Sequence, residues 1–205
     1  ALGQQPRAFQ TVALLALADA PNRPMWLARA ADLHPAQDDS GYVAKAVSWL
    51  AEGYVRQGDE RRAIALFEEA ARRFERVAMR IEQCACDLAL CALALQTESA
   101  DHAHILNRIT AVRVDVRGIA ELESQAALLE AEVLQRQGQS DQALDVLAAA
   151  AALATEPRSS LVDPVLAGRV AALQARNYAM GLYLAHQRQD IARAVLFVGA
   201  RRQVS

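Results

Sequence analysis

The same helical phrase is written twice in this chain. Leu50, Ala51, Tyr54 and Gly58 are followed by Ala63, Phe67 and Ala70, and Ala131, Leu134 and Gly138 are followed by Ala143, Leu147 and Ala150. Each copy reads as a helix, a turn at Arg-Gln-Gly, and a second helix whose apolar residues recur at helical spacing. One such pair has too little core to stand alone and must stack on its neighbours. A repeated pair therefore restricts the chain to an all-α solenoid.

The repeat length follows from the spacing. Ala63 and Ala143 lie 80 residues apart with Ala103 midway, which gives a period of about 40. The middle copy is worn: Ala103 and Leu106 fit, but Glu98 replaces the turn glycine and Asn107 the large apolar residue. One period before Phe67 and Ala70 stand Leu27 and Ala30. A fifth pair reads near the end, with Tyr183, Ala192 and Leu196 for Tyr54, Ala63 and Phe67, after a longer spacer. The expected repeats are 7–40, 41–77, 78–117, 118–157 and 164–201, in one domain over 1–205 that is expected to be a piece of a longer protein. About ten helices follow, near 7–19, 24–34, 41–57, 60–75, 78–97, 100–111, 119–137, 140–155, 164–187 and 190–201.

Start and stop signals support these boundaries. Asp59, Ser140, Asp163 and Asp190 each precede a helix as candidate N-caps, and Gly58 and Gly138 stand where a left-handed residue closes a helix. One segment departs from the helical period. Val112, Val114 and Val116 alternate with Arg113, Asp115 and Arg117, so an extended connector is expected there. Glu68-Arg72 and Glu69-Arg73 are spaced for ion pairs on a solvated helical face.

Composition excludes several classes of function. Hydrophobic residues make up 53% of the chain but aromatics only 5%, a core of Ala, Leu and Val suited to close helix packing. The formal charge is −2 with no cationic cluster, so direct nucleic-acid contact is not expected. Ile119 to Leu134 and Ala143 to Ala154, the longest apolar stretches, fall short of the roughly 20 residues a membrane span needs. Three cysteines on one predicted helix make no disulfide framework, which points to a reducing cytoplasm.

Metal and catalytic chemistry have little to stand on. Cys84 and Cys86, like His102 and His104, are two apart, which on a helix turns their side chains about 200° from each other. Cys84 and Cys91 share a face, but with Leu88 between them, and buried cysteines acting as small apolar residues are the expectation. No phosphate loop, dinucleotide fingerprint, zincin motif or nucleophile elbow is present, so neither an enzyme nor a cofactor is expected.

The run Leu50, Ala51, Tyr54, Gly58, Ala63, Phe67, Ala70 resembles the tetratricopeptide repeats. The chain departs from that family in its longer unit, in Val47 at the usual aromatic position, and in lacking the terminal proline. Units of this length look like those in the C-terminal regulatory halves of large bacterial transcription activators, including the maltose-regulon activator and related LuxR-type proteins. The resemblance implies a right-handed superhelical solenoid of antiparallel helix pairs, whose first helices line a groove for a protein or peptide.

The family's groove positions fall on Lys45, Ser48, Trp49, Glu52 and Arg56, and on Gln125, Leu128, Glu132, Gln135 and Arg136. Trp49 would anchor an apolar side chain, and Arg56 and Arg136 would each pair a carboxylate. A structural reading stands beside this one. Trp49 also suits packing between repeats, and both arginines precede helix-ending glycines, where a cation complements the helix dipole. Between the two sets, Ala85, Leu88, Ala92 and Leu95 would form a nearly uncharged stretch of groove.

Three functions compete on these residues: a protein- or peptide-binding scaffold in a transcriptional regulator, a self-assembling homo-oligomer, and a sensor of small apolar ligands walled by the Cys84 to Leu95 helix.

Overall fold

The computed structural model describes residues 5–35, 40–97, 100–154 and 164–204. Among them are ten α-helices and no strand: α1 (Gln5–Ala18), α2 (Arg23–Leu33), α3 (Gly41–Gln57), α4 (Glu60–Arg76), α5 (Arg80–Ala94), α6 (His102–Asp115), α7 (Ala120–Arg136), α8 (Ser140–Ala154), α9 (Pro164–Gln187) and α10 (Ile191–Val204). The chain divides into two compact units, Ala1–Thr97 and Glu98–Ser205.

In the first unit α3 is the hub, packing on α1, α2 and α4, with α5 against α4. Its core gathers Phe9 and Ala13 of α1, Leu27 and Ala30 of α2, Val47, Leu50 and Tyr54 of α3, and Phe67, Ala70 and Phe74 of α4. Leu27 and Ala30 are thus buried where the repeat spacing puts them. In the second unit α7 packs on α6, α8 and α9, and α10 closes against α8 and α9. That core holds Ala131 and Leu134, Ala143 and Leu147, Tyr178 and Leu184, and Phe197 and Ala200.

The turns between paired helices share one geometry. Gly58 and Gly138 have φ of 83° and 77°, and the following amides, Asp59 and Gln139, donate back to Tyr54 and Leu134 across the helix end. This closure satisfies carbonyls that the last helical turn leaves without partners. Two more closures use residues that glycine-keyed reading overlooks. Ala78 and Gln189 take φ of 57° and 56°, with Met79 donating to Phe74 and Asp190 to Ala185.

Asp59 and Asp190 cap α4 and α10, accepting from the amides of Arg62 at 3.1 Å and Arg193 at 3.0 Å. Asp101 does the same for α6. Ser140 is not a cap, because α8 begins on it and the turn before it is closed by Gln139. Asp163 lies outside the described residues.

Four expectations are corrected. The Val112 to Arg117 segment is no extended connector: α6 runs through Asp115, and Ile105, Ile109, Val112 and Val116 form one buried helical stripe, with Val114 exposed between. That stripe also displaces the middle repeat, since Ala103 and Asn107 are exposed and the buried positions fall two residues later. In the last pair the register slips by one. Leu184 and Phe197 are buried, whereas Tyr183, Ala192 and Leu196 are exposed.

The fourth correction concerns charge. Glu69 and Arg73 do pair, at 2.8 Å, but Arg73 is only 5% exposed and also donates to the Pro35 carbonyl at 3.2 Å. His34 stacks edge-on against Phe9 and brings its Nε2 within 3.3 Å of the same Glu69 carboxylate. The pair is a buried tie between α4 and the end of α2, not a solvated face. Glu68 and Arg72 do lie exposed on the outer side of α4.

Candidate functional site

Two features stand out, one in each unit. The first is the outer face of α3. Ser40 caps the helix by accepting from the Val43 amide, and Val43, Val47, Leu50 and Tyr54 turn inward. The opposite stripe carries Lys45, Ser48, Trp49, Glu52 and Arg56, with Tyr42 above them, the most exposed aromatic residue of the unit at 76%. Trp49 is half-buried, one edge packed on the core. The other tryptophan, Trp26, donates its indole N–H to Asp19 at 2.9 Å, and that bond, with one from Asn22, holds the Asp19 carboxyl below its ordinary pKa.

Arg56 is already employed. Its guanidinium donates to the Leu17 carbonyl at 3.2 Å, capping the end of α1. Ser48 returns its hydroxyl to the Lys45 carbonyl, leaving Lys45, Trp49 and Tyr42 as the outward chemistry of the stripe, with Glu52 half-buried beside them. Tyr42 was missed by sequence reasoning because it falls outside the family's groove positions. Its spacing, seven residues before Trp49, puts both rings on one face.

The corresponding stripe on α7 offers less. Leu128 is 8% exposed, Glu132 and Arg136 pair with each other at 2.6 Å, and Gln125 and Gln135 are half-buried. Along α5, Leu88 and Leu95 are fully buried while Ala85 and Ala92 are half-buried, so no open apolar wall forms there. Cys84, Cys86 and Cys91 are buried and none forms a disulfide; burial pushes the Cys86 thiol up to about 12. Among the described residues no group of three His, Cys, Asp or Glu side chains is placed to hold a metal ion.

The second feature is a cavity of about 430 Å³ inside the second unit, bounded by α6, α7, α8 and α9. Val114, Ala127 and Ala150 give it an apolar lining, and Thr110, Arg113, Arg117, Glu123, Ser124, Glu130 and Gln174 give it polar groups. Arg113 and Glu130 form a close ion pair, and Glu123 accepts from the Gly118 amide at 2.9 Å. Nearby, Asn177 is buried and donates its amide to the Ser124 carbonyl at 3.1 Å, fixing α9 against α7. None of these residues was singled out as a site in the sequence; the polar ones are spread over three helices and only the packing brings them together.

No protein-family model matches the chain, and no curated protein is significantly similar to it. What the fold itself defines is a class: an all-α chain of ten helices among the described residues, consistent with a helical-repeat protein. None of the described helices is long and apolar enough to cross a membrane.

Proposed function

We propose that this chain is a protein- or peptide-binding scaffold of tetratricopeptide type, built of antiparallel pairs in a right-handed superhelix and acting without catalysis. The observation that carries the reading is the α3 stripe, where Tyr42, Lys45 and Trp49 stand on one face of a helix whose other side is locked into the core. Tyrosine and tryptophan are among the residue types that dominate recognition energies, and Lys45 beside them adds a charge that can select a partner of opposite sign. Repeat length and the Ala, Leu and Arg-rich style support placement in the sensing half of a cytoplasmic bacterial transcriptional regulator.

Panning a displayed peptide library against the whole chain tests the scaffold. Enriched peptides are expected to quench Trp49 fluorescence and to bind at least about tenfold more weakly to Tyr42→Ala with Lys45→Glu, as truncating a central aromatic anchor does elsewhere. Failure to enrich any peptide, or binding indifferent to those substitutions, rejects the reading.

A second reading, self-assembly, rests on a different observation. Ile191, Val195 and Val198 recur along α10 at helical spacing, all exposed, with Leu196 beside them. An apolar stripe on a helix that closes its unit is suited to stacking on a second copy. Sedimentation across a concentration series decides it: self-association abolished by Ile191→Lys with Val195→Lys supports the stripe, and a concentration-independent monomer removes the idea.

A further inference from the structure

We propose that Met79 is an oxidation-sensitive latch on the first turn of α3: a hydroperoxide that converts its thioether to the sulfoxide releases that turn, and Tyr42 with it. The device is independent of what the α3 stripe binds. The chain has three methionines, in three settings. Met25 on α2 is 54% exposed, Met180 on α9 packs partly buried against the core of the second unit, and Met79 packs partly buried against the core of the first.

The backbone of Met79 is fixed on both sides. Its amide donates to the Phe74 carbonyl at 2.9 Å, closing α4 behind the left-handed Ala78, and its carbonyl accepts from the Gln83 amide at 3.1 Å in the first turn of α5. From this anchored position the side chain reaches the start of α3. A Cβ built on Gly41 would lie 2.5 Å from Sδ of Met79 and 4.0 Å from Cγ2 of Val77. The sulfur thus occupies the space that any larger residue at position 41 would need. Gly41 has no side chain with which to pack, so the thioether supplies the cover on this side of the turn. The next residue is Tyr42, 76% exposed at the head of the α3 stripe.

The chemistry is a single oxygen transfer. A sulfur lone pair attacks the peroxide, the O–O bond breaks and an S–O bond forms; sulfur gives up two electrons, and the hydroperoxide leaves as an alcohol, or as water when it is hydrogen peroxide. A flexible apolar side chain becomes a bulkier polar one. Towards Gly41 there is no room for the new oxygen. Turned the other way it meets the apolar core, where an acceptor without a donor is costly. The oxidised side chain therefore leaves its seat and uncovers the first turn of α3.

Replacing Met25→Leu and Met180→Leu conserves volume and leaves Met79 as the sole thioether of the whole chain. Hydrogen peroxide is expected to add one oxygen to Met79 in the folded protein, read by peptide mass. Amide hydrogen exchange at residues 41–45 should then quicken about tenfold or more, with the amides of α7 unchanged and the unfolding temperature lowered. A methionine sulfoxide reductase should restore both, and a further Met79→Leu should abolish the response. Oxidation that leaves exchange at residues 41–45 unchanged or slows it, as a new hydrogen bond to the first-turn amides would, overturns the proposal. So does a folded chain that stays unoxidised at Met79 under peroxide that converts Met25 in the unsubstituted protein.

Discussion

Gly181 of α9 lies directly beneath the ring of Phe197 of α10: a Cβ built on the glycine would come within 2.5 Å of Cζ and 2.6 Å of Cε1. Sixteen residues separate the two, as they separate Ala51 from Phe67 and Ala131 from Leu147. All three pairs set a small residue in the first helix against a large one in the second at this spacing, and in the other two both members are buried in one core cluster. The size of the large residue sets how small its partner must be.

Gly181→Ala is expected to lower stability by about 1–3 kcal/mol, the usual penalty for overpacking a filled core. Adding Phe197→Leu, which restores the Ala131 with Leu147 combination, should recover most of that loss. Urea denaturation of the single and double variants measures both effects, and additivity of the two would contradict the contact.

The buried Arg73 makes a different kind of prediction. Glu69→Ala leaves its guanidinium in the core without its carboxylate and should cost about 3 kcal/mol, whereas Arg73→Met, which removes the charge and keeps the volume, should be close to neutral. The close approach of the His34 imidazole at 3.3 Å, and after it Arg73, holds the Glu69 carboxyl below the ordinary glutamate pKa. Its contribution to stability is therefore complete above that ordinary value and is lost as the pH falls through the lower folded one. Glu69→Gln should flatten that acid limb of the stability profile, measured by thermal unfolding from neutral pH downwards.

The left-handed closures can be tested in both directions. Gly138→Ala forces a Cβ onto a φ of 77° and should cost about 1–2 kcal/mol. Gln189→Gly relieves the same strain and should stabilise by about 1 kcal/mol. Thermal unfolding of the two variants is the measurement; a stabilising Gly138→Ala would be incompatible with the closure.

Native protein should resist thiol reagents at pH 8, because Cys84, Cys86 and Cys91 are buried and Cys86 is held far from thiolate formation. All three should react once denaturant is added. Rapid labelling of the folded chain would place the thiols outside the core.

Much of this architecture was legible where side-chain size and backbone conformation speak together. Gly58 with Ala63 and Phe67, and Gly138 with Ala143 and Leu147, fix a turn and a packing face at once, and their helices fall within a few residues of expectation. Reading failed where one cue acted alone. Three valines at alternate positions imitate a strand, but Val112 and Val116 also continue the four-three spacing begun at Ile105 and Ile109, and burial of that stripe decides the outcome. Tyr183 attracted attention as an aromatic, while Leu184, one residue on, is the side chain that points inward.

The binding features were less legible still. Of the α3 positions, Lys45 and Trp49 do face outward in whole or part, but Arg56 spends its donors on Leu17, and on α7 Leu128 is covered. A cavity wall assembled from Arg113, Ser124 and Gln174 has no local pattern, because those residues come from separate helices with no fixed offset.

Of the five left-handed residues among the described turns, three are glycines and two are Ala78 and Gln189. Each departure costs only about 1 kcal/mol, a fraction of the several kcal/mol by which a domain is ordinarily stable. An array of this kind can shed its spelling one inexpensive letter at a time while its joints stay folded. Kinship among such chains is then better sought in the angles of their turns than in the glycines that first announce them.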